Sequence, residues 1–317
     1  MKEIKRKGSE LPEMTKNNNI QMDPHLIPSD DVEILSQLGM CLDGRLKRGR
    51  YGVVYKGHFL ESFSLDQLRS SSRLSYAFVR PEPDIKSRVQ AGRYFAIKFC
   101  DIECRAAIIT DVEQRMKQEI HFFEKVRYEP SLLVVRAYFM FSTKKTRYYI
   151  VMELADDNMQ CVITSYTSQN RLLQSNYVLA LYKSLIVTIR QLHQQRLTYG
   201  MLQTSNILVF NENSQESNSS CVPFRIKIAD FVRSVDMDTP GLAHVLIDDA
   251  IEEDLDDIYH LHAEFFTLSQ FDIGTRDALK ESLKFMTDIN AHRNSLQTLD
   301  MALELLSRFS VQEQQQR

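Results

Sequence analysis

The chain has 317 residues, 43% of them hydrophobic, with a formal net charge of −3 at pH 7 and a pI near 6.3. That is enough apolar material for one large or two small domains. A nearly balanced, slightly acidic charge excludes nucleic acid and anionic membrane as favoured partners, and no apolar run approaches the roughly 18 residues of a membrane span.

Residues 1–32 read as a polar tail, with Asn17, Asn18 and Asn19 in a row and charged residues Lys2, Glu3, Lys5, Arg6 and Lys7 where a secretory leader would be apolar. This points to an intracellular protein, cytoplasmic or nuclear. Five scattered cysteines suit that compartment: an odd set is a poor disulfide framework, and no second pair follows Cys100 and Cys104 at zinc-site spacing. Residues 46–57 read as strand, tight turn and strand around Gly49 and Gly52. A polar stretch, 58–92, holds Ser70, Ser71, Ser72, Pro81 and Pro83 and reads as an insertion. Residues 94–100 alternate like a strand. Over 110–126, Val112, Met116, Ile120, Phe123 and Val126 recur at helical spacing.

Two strands are expected over 132–141 and 147–154, and a long helix over 176–194. Short strands at 207–210 and 224–229 flank a second polar insertion, 211–222. Helices are expected over 257–268, 277–289 and 296–309, and 310–317 reads as a polar tail. Strands first and helices later predict an α+β fold in two lobes, 33–154 and 155–309. Seven acids within 248–257 read as a solvated face leading into a helix, where early acids suit the dipole.

The glycine turn would let backbone approach a phosphate closely, although such a hairpin is also an ordinary turn. Phe95-Ala96-Ile97-Lys98 puts one lysine on an apolar strand, and Glu119 lies among apolar residues on a helix. A half-buried lysine needs an anion, because an unpaired buried charge is costly.

In this order these residues resemble the protein-kinase family, over about residues 43–309. The glycine loop is similar to 47–52, the strand lysine to Lys98 and the regulatory-helix glutamate to Glu119. The hinge is similar to Met152-Glu153-Leu154-Ala155, with Met152 as gatekeeper. The catalytic loop is similar to 199–206, the metal-binding triplet to Asp230-Phe231-Val232, the buried aspartate of the central C-lobe helix to Asp257, and a late C-lobe arginine to Arg293. The resemblance implies a bilobal fold. It implies a nucleotide site at Gly49, Gly52, Val54, Ala96, Lys98, Glu119, Glu153, Ala155 and Leu208, with Asn206 and Asp230 as magnesium ligands and ATP as the nucleotide. It also implies a hydrophobic column of Phe123, Tyr199 and Phe231, with Phe139 as fourth member and Asp257 as anchor. A short echo of the spindle-checkpoint Bub kinases lies in Gly200 and in Ser234-Val235-Asp236-Met237.

The departures matter most. Met201 stands where the family's catalytic aspartate orients the substrate hydroxyl, and a thioether cannot do that. Gly200 replaces the loop arginine, Gln203 the loop lysine, Val232 the triplet glycine and Lys47 the first loop glycine. No Ala-Pro-Glu motif precedes Asp257, so Arg293 lacks its glutamate, and the segment between residues 268 and 277 is short for the family's substrate-docking region. The expectation is a non-catalytic, ATP-binding pseudokinase that serves as scaffold or allosteric regulator of another protein, such as an active kinase or signalling complex. Two alternatives are an atypical Ser/Thr kinase, with Glu153, Asp236 or Asp238 filling in, and a structural module with an empty cleft.

Overall fold

In β2 (Val53–Phe59) every second residue is buried, the period required when one face of a sheet meets a core. The computed structural model describes residues 27–79, 85–102, 111–127, 129, 131–211, 224–288 and 291–316. β2 pairs with β1 (Met40–Arg48) and β4 (Tyr94–Asp101), and the sheet continues through β6 (Arg147–Met152) and β5 (Ala137–Thr143) to β3 (Tyr76–Val79), antiparallel throughout.

Two stretches expected to be a tail and an insertion help to build this lobe. Helix α1 (Ser29–Gln37) starts inside the expected tail, most of which lies outside the described residues. Its buried Asp31 accepts hydrogen bonds from Tyr149 Oη at 2.6 Å and Thr143 Oγ1 at 3.1 Å, and pairs with Arg147 at 3.3 Å. The expected insertion 58–92 contains α2 (Leu65–Ser70), β3 and α3 (Ile85–Arg88), and buries Phe59, Leu68, Ile85 and Val89. Each short element carries only one or two anchors, too few for a periodicity to emerge. The second insertion falls almost wholly outside the described residues.

The sheet has two apolar faces. One packs with α1 and α2 around Tyr55, Phe59, Phe95, Phe139, Phe141 and Tyr149. Phe139 therefore does not join the interlobe column: its ring neighbours are Phe63 at 5.6 Å and Phe59 at 6.2 Å. Along β5 side chains alternate, so Met140 enters the other core and Phe139 cannot. That other core passes α4 (Val112–Val126) and continues into the helical lobe.

The C-terminal lobe contains β7 (Asp157–Asn158), β8 (Ile207–Asn211) and β9 (Phe224–Ile228) in one small sheet, with α5 (Met159–Ser168), α6 (Ser175–Gln194), α7 (His244–Thr267), α8 (Ile273–Leu283) and α9 (Ser295–Gln316). α6 buries Val178, Tyr182, Leu185, Ile189 and Leu192 along one stripe. α7 begins well before Asp257. Of its acidic run, Asp248, Asp249, Glu252 and Asp256 are exposed, but Asp254 is fully buried. Asp272 caps α8 by accepting from Thr275 N at 2.9 Å. α9 continues past residue 310, through what was expected to be tail. Among the described residues no helix is long and apolar enough to cross a membrane.

Candidate active site: an interlobe cleft

A cleft of about 400 Å³ opens between the lobes. The fold brings to it all the residues expected to hold nucleotide or magnesium: Gly49, Gly52, Val54, Ala96, Lys98, Glu119, Glu153, Ala155, Asn206, Leu208 and Asp230. Val54 lies opposite Lys98 in the β2–β4 register, so the glycine turn that leads into β2 sits over the lysine. At Gly52 a Cβ would come within 2.8 Å of Phe99 O, so the close passage of β4 demands glycine there.

Lys98 is the electrostatic centre. Its ammonium donates to both Glu119 oxygens, at 2.8 and 2.7 Å, and to Asp230 Oδ1 at 2.7 Å. Burial works against this charge, but Asp230 and Glu119 outweigh it and hold the Lys98 pKa above the ordinary lysine range. The triad ties β4, α4 and the segment after β9 together, with α4 turned in toward the sheet.

Phe231 packs beside the triad. Its ring stacks on Phe122 at 4.0 Å and meets Phe123 at 5.1 Å and Tyr199 at 5.5 Å, both edge-on. Phe123, Tyr199 and Phe231 are thus brought together. Phe122, missed in the sequence, makes the closest contact; its neighbour Phe123 fitted the helical period better. The expected anchor, Asp257, needs correction. Asp254 Oδ2 accepts from Tyr199 N at 2.9 Å and pairs with His193 Nε2 at 2.8 Å, and Asp254 Oδ1 accepts from Gly200 N at 2.6 Å. Asp257 takes only Leu202 N, at 2.6 Å. The two are nearly one helical turn apart and share a face, and only burial separates their roles.

The 199–206 stretch, similar to the family's catalytic loop, is held in this frame by its backbone. Gly200 has φ +74°, and a Cβ there would approach Arg233 O to 2.8 Å, so this loop geometry rejects arginine. Met201 offers a thioether, and its carbonyl is held by Asn206 Nδ2 at 3.2 Å. None of the carboxylates considered as substitutes is free for the task. Glu153 lines the cleft, but its carboxylate accepts from Arg136 N at 2.7 Å and pairs with Lys227. Asp236 holds His121 Nε2 and Lys125 Nζ of α4, both at 2.7 Å. Against the cost of burial, these two donors keep its carboxyl below the usual carboxylate range. Asp238 pairs with Arg196 at 3.3 Å and Lys125 at 3.8 Å. Arg293 is exposed.

The magnesium expectation rests on Asn206 and Asp230, a carboxamide and a carboxylate, both hard oxygen donors. The Asp230 carboxylate suits such a cation. Asn206 Oδ1 already meets another cation, Lys47 Nζ, at 3.5 Å, and the same ammonium donates to Ser205 O at 3.3 Å. Neither this reach of Lys47 across the cleft nor the presence of Cys161 in its wall was legible in the sequence. A larger cavity, about 920 Å³, lies between α4 and the segment around Asp236. It has no counterpart of the Lys98 triad.

A family model described as protein kinase domain matches residues 85–247, just over half of the chain. The match starts after the glycine turn and ends within α7. No curated protein sequence matches the chain. With the strand lysine, helix glutamate and triplet aspartate meeting in one cleft between a β-rich and a helical lobe, the chain belongs to the protein kinase domain family.

Proposed function

We propose that this is a pseudokinase: inside the cell it binds ATP in the interlobe cleft, transfers no phosphoryl group, and acts through its shape on another protein, an active kinase or signalling complex. The observation that carries the reading is Met201 in the catalytic position, with Glu153, Asp236 and Asp238 each committed to other partners. Losing a group that acts in the transition state costs orders of magnitude in rate. The Lys98–Glu119–Asp230 triad supports nucleotide binding, because a lysine oriented by two carboxylates is placed for phosphate oxygens. When bound, magnesium at Asp230 would supply charge neutralisation of those oxygens.

The Asp236 clamp supports a shape that needs no activating phosphate: it draws α4 toward the 233–238 segment with a carboxylate already in the sequence. The same contact gives a structural role to the stretch that resembles the Bub kinases, since Ser234 Oγ also donates to Tyr199 O at 3.2 Å. The outer face of α4, with exposed Glu113, Lys117 and His121, is the surface we assign to the partner. Deleting residues 60–90 would remove buried Leu68, Ile85 and Val89, so surface substitutions on α4 are the cleaner probe. Radiolabelled ATP tests the catalytic half: incorporation into generic or self substrates should not exceed the Lys98→Met background. Incorporation abolished by Lys98→Met would overturn the reading.

A further inference from the structure

We propose that Lys47 is a built-in cation of the nucleotide site, standing in for a metal at Asn206, so that this domain holds ATP without added divalent ions. The inference rests on the ATP-binding reading above and adds the ionic requirement of the site. Lys47 occupies the position of the first loop glycine, at the end of β1. Register shifts between Arg45 and Lys47 bulge the strand there and re-aim its last side chains. The Lys47 side chain crosses from the upper lobe to the lower one and ends 3.3 Å from Ser205 O and 3.5 Å from Asn206 Oδ1. Both acceptors are oxygens of the kind a hard metal ion seeks, and Asn206 is 2% exposed.

Charge makes the substitution consequential. Lys98 faces two carboxylates, Glu119 and Asp230, so much of its charge is met within the triad and a polyphosphate gains from a further cation. Lys47 brings one more positive charge to the same cleft. An ammonium on a flexible stem can also turn from Asn206 to an incoming phosphate, which a fixed carboxamide cannot do. Asp230 keeps its capacity for a metal. Magnesium can then still bind, but occupancy of the cleft by nucleotide no longer depends on it.

The test is equilibrium binding of a fluorescent ATP analogue to the full chain, in EDTA and in magnesium, with fluorescent adenosine as the phosphate-free probe. Wild type should bind ATP with affinities within about threefold of each other in the two buffers, whereas Lys47→Met should bind about tenfold or more weakly in EDTA and regain most of the loss in magnesium. Lys47→Arg, which retains the charge, should behave as wild type, and adenosine binding should be the same in all three proteins. Wild type that needs magnesium, or Lys47→Met that equals wild type in EDTA, overturns the proposal while leaving ATP binding standing. No binding of ATP or adenosine by any of the proteins in either buffer overturns the nucleotide reading itself, and this inference with it.

Discussion

The two walls of the cleft differ in the side chains they present. On the upper wall and at the triplet, Lys98, Glu119 and Asp230 form a tight, mutually satisfied triad. On the lower wall, Met201, Gly200 and Gln203, in the stretch similar to the family's catalytic loop, offer no carboxylate, guanidinium or ammonium, and the backbone there is held by Asp254. The contrast separates ground-state from transition-state work. Groups that bind and orient a nucleotide can also stabilise the fold, so the proposed non-catalytic domain keeps a use for them. A proton-orienting carboxylate contributes only in the transition state, and nothing in folding or binding requires it.

The comparison can be sharpened by asking how much stability each wall supplies. The largest effect is expected at Asp254. Asp254→Ala strands two backbone N–H groups and His193, and should cost about 3 kcal/mol in chemical denaturation, while Asp257→Ala, which strands one N–H and also removes a carboxylate that burial disfavours, should cost far less. Equal losses would restore Asp257 as the anchor. Lys98→Met leaves Glu119, 1% exposed, without its cation, and should cost about 3 kcal/mol and remove any stabilisation by ATP. Met201→Asp, by contrast, should leave stability nearly unchanged and restore no transfer, since the arginine and lysine of the loop are absent too.

A smaller effect is expected at the clamp. Asp236→Ala should lower stability by about 1 kcal/mol and raise amide exchange along α4, because His121 and Lys125 lose their shared acceptor. A further effect depends on pH and lies at Asp257. Burial raises its pKa from 3.8 to about 7, with Asp254 and Glu253 adding to the rise and Leu202 N–H opposing it. A carboxylate shifted upward on folding destabilises the native state as pH climbs from the unfolded pKa through the folded one. Asp257→Asn should therefore raise the melting temperature more at about pH 8 than at about pH 5. A larger gain at the lower pH would contradict the assignment.

Much of this was legible in the sequence where periodicity or motif order carries information. The α4 stripe and the long α6 follow from spacing, because each buries many residues on one face, whereas the expected alternation over 94–100 gives way in β4 to burial on both faces. What escaped depends on contacts distant in sequence. Asp254 and Asp257 look interchangeable in an acidic run until one is seen to be buried beneath the Tyr199 and Gly200 amides. Phe139 sits on the right strand for the interlobe column, but the pleat turns it to the other face. Lys47 reads as a lost glycine, and only the bulge in β1 shows where its ammonium goes. The polar stretch 58–92 hid three short elements because each contributes one or two core residues to a surface that other strands supply.

The measurement that bears most directly on the central claim is ATP binding and phosphoryl transfer followed in one preparation of the full chain. A melting titration reads the first, and a ligand at about 100 times its dissociation constant should stabilise the fold by about 2.7 kcal/mol. Radiolabel incorporation reads the second. A saturable shift that Lys98→Met abolishes, with incorporation no higher than in that variant, is the predicted result. Incorporation that tracks ATP occupancy and disappears in Lys98→Met would contradict the account, because it would mean that phosphoryl transfer proceeds without the carboxylate that Met201 replaced.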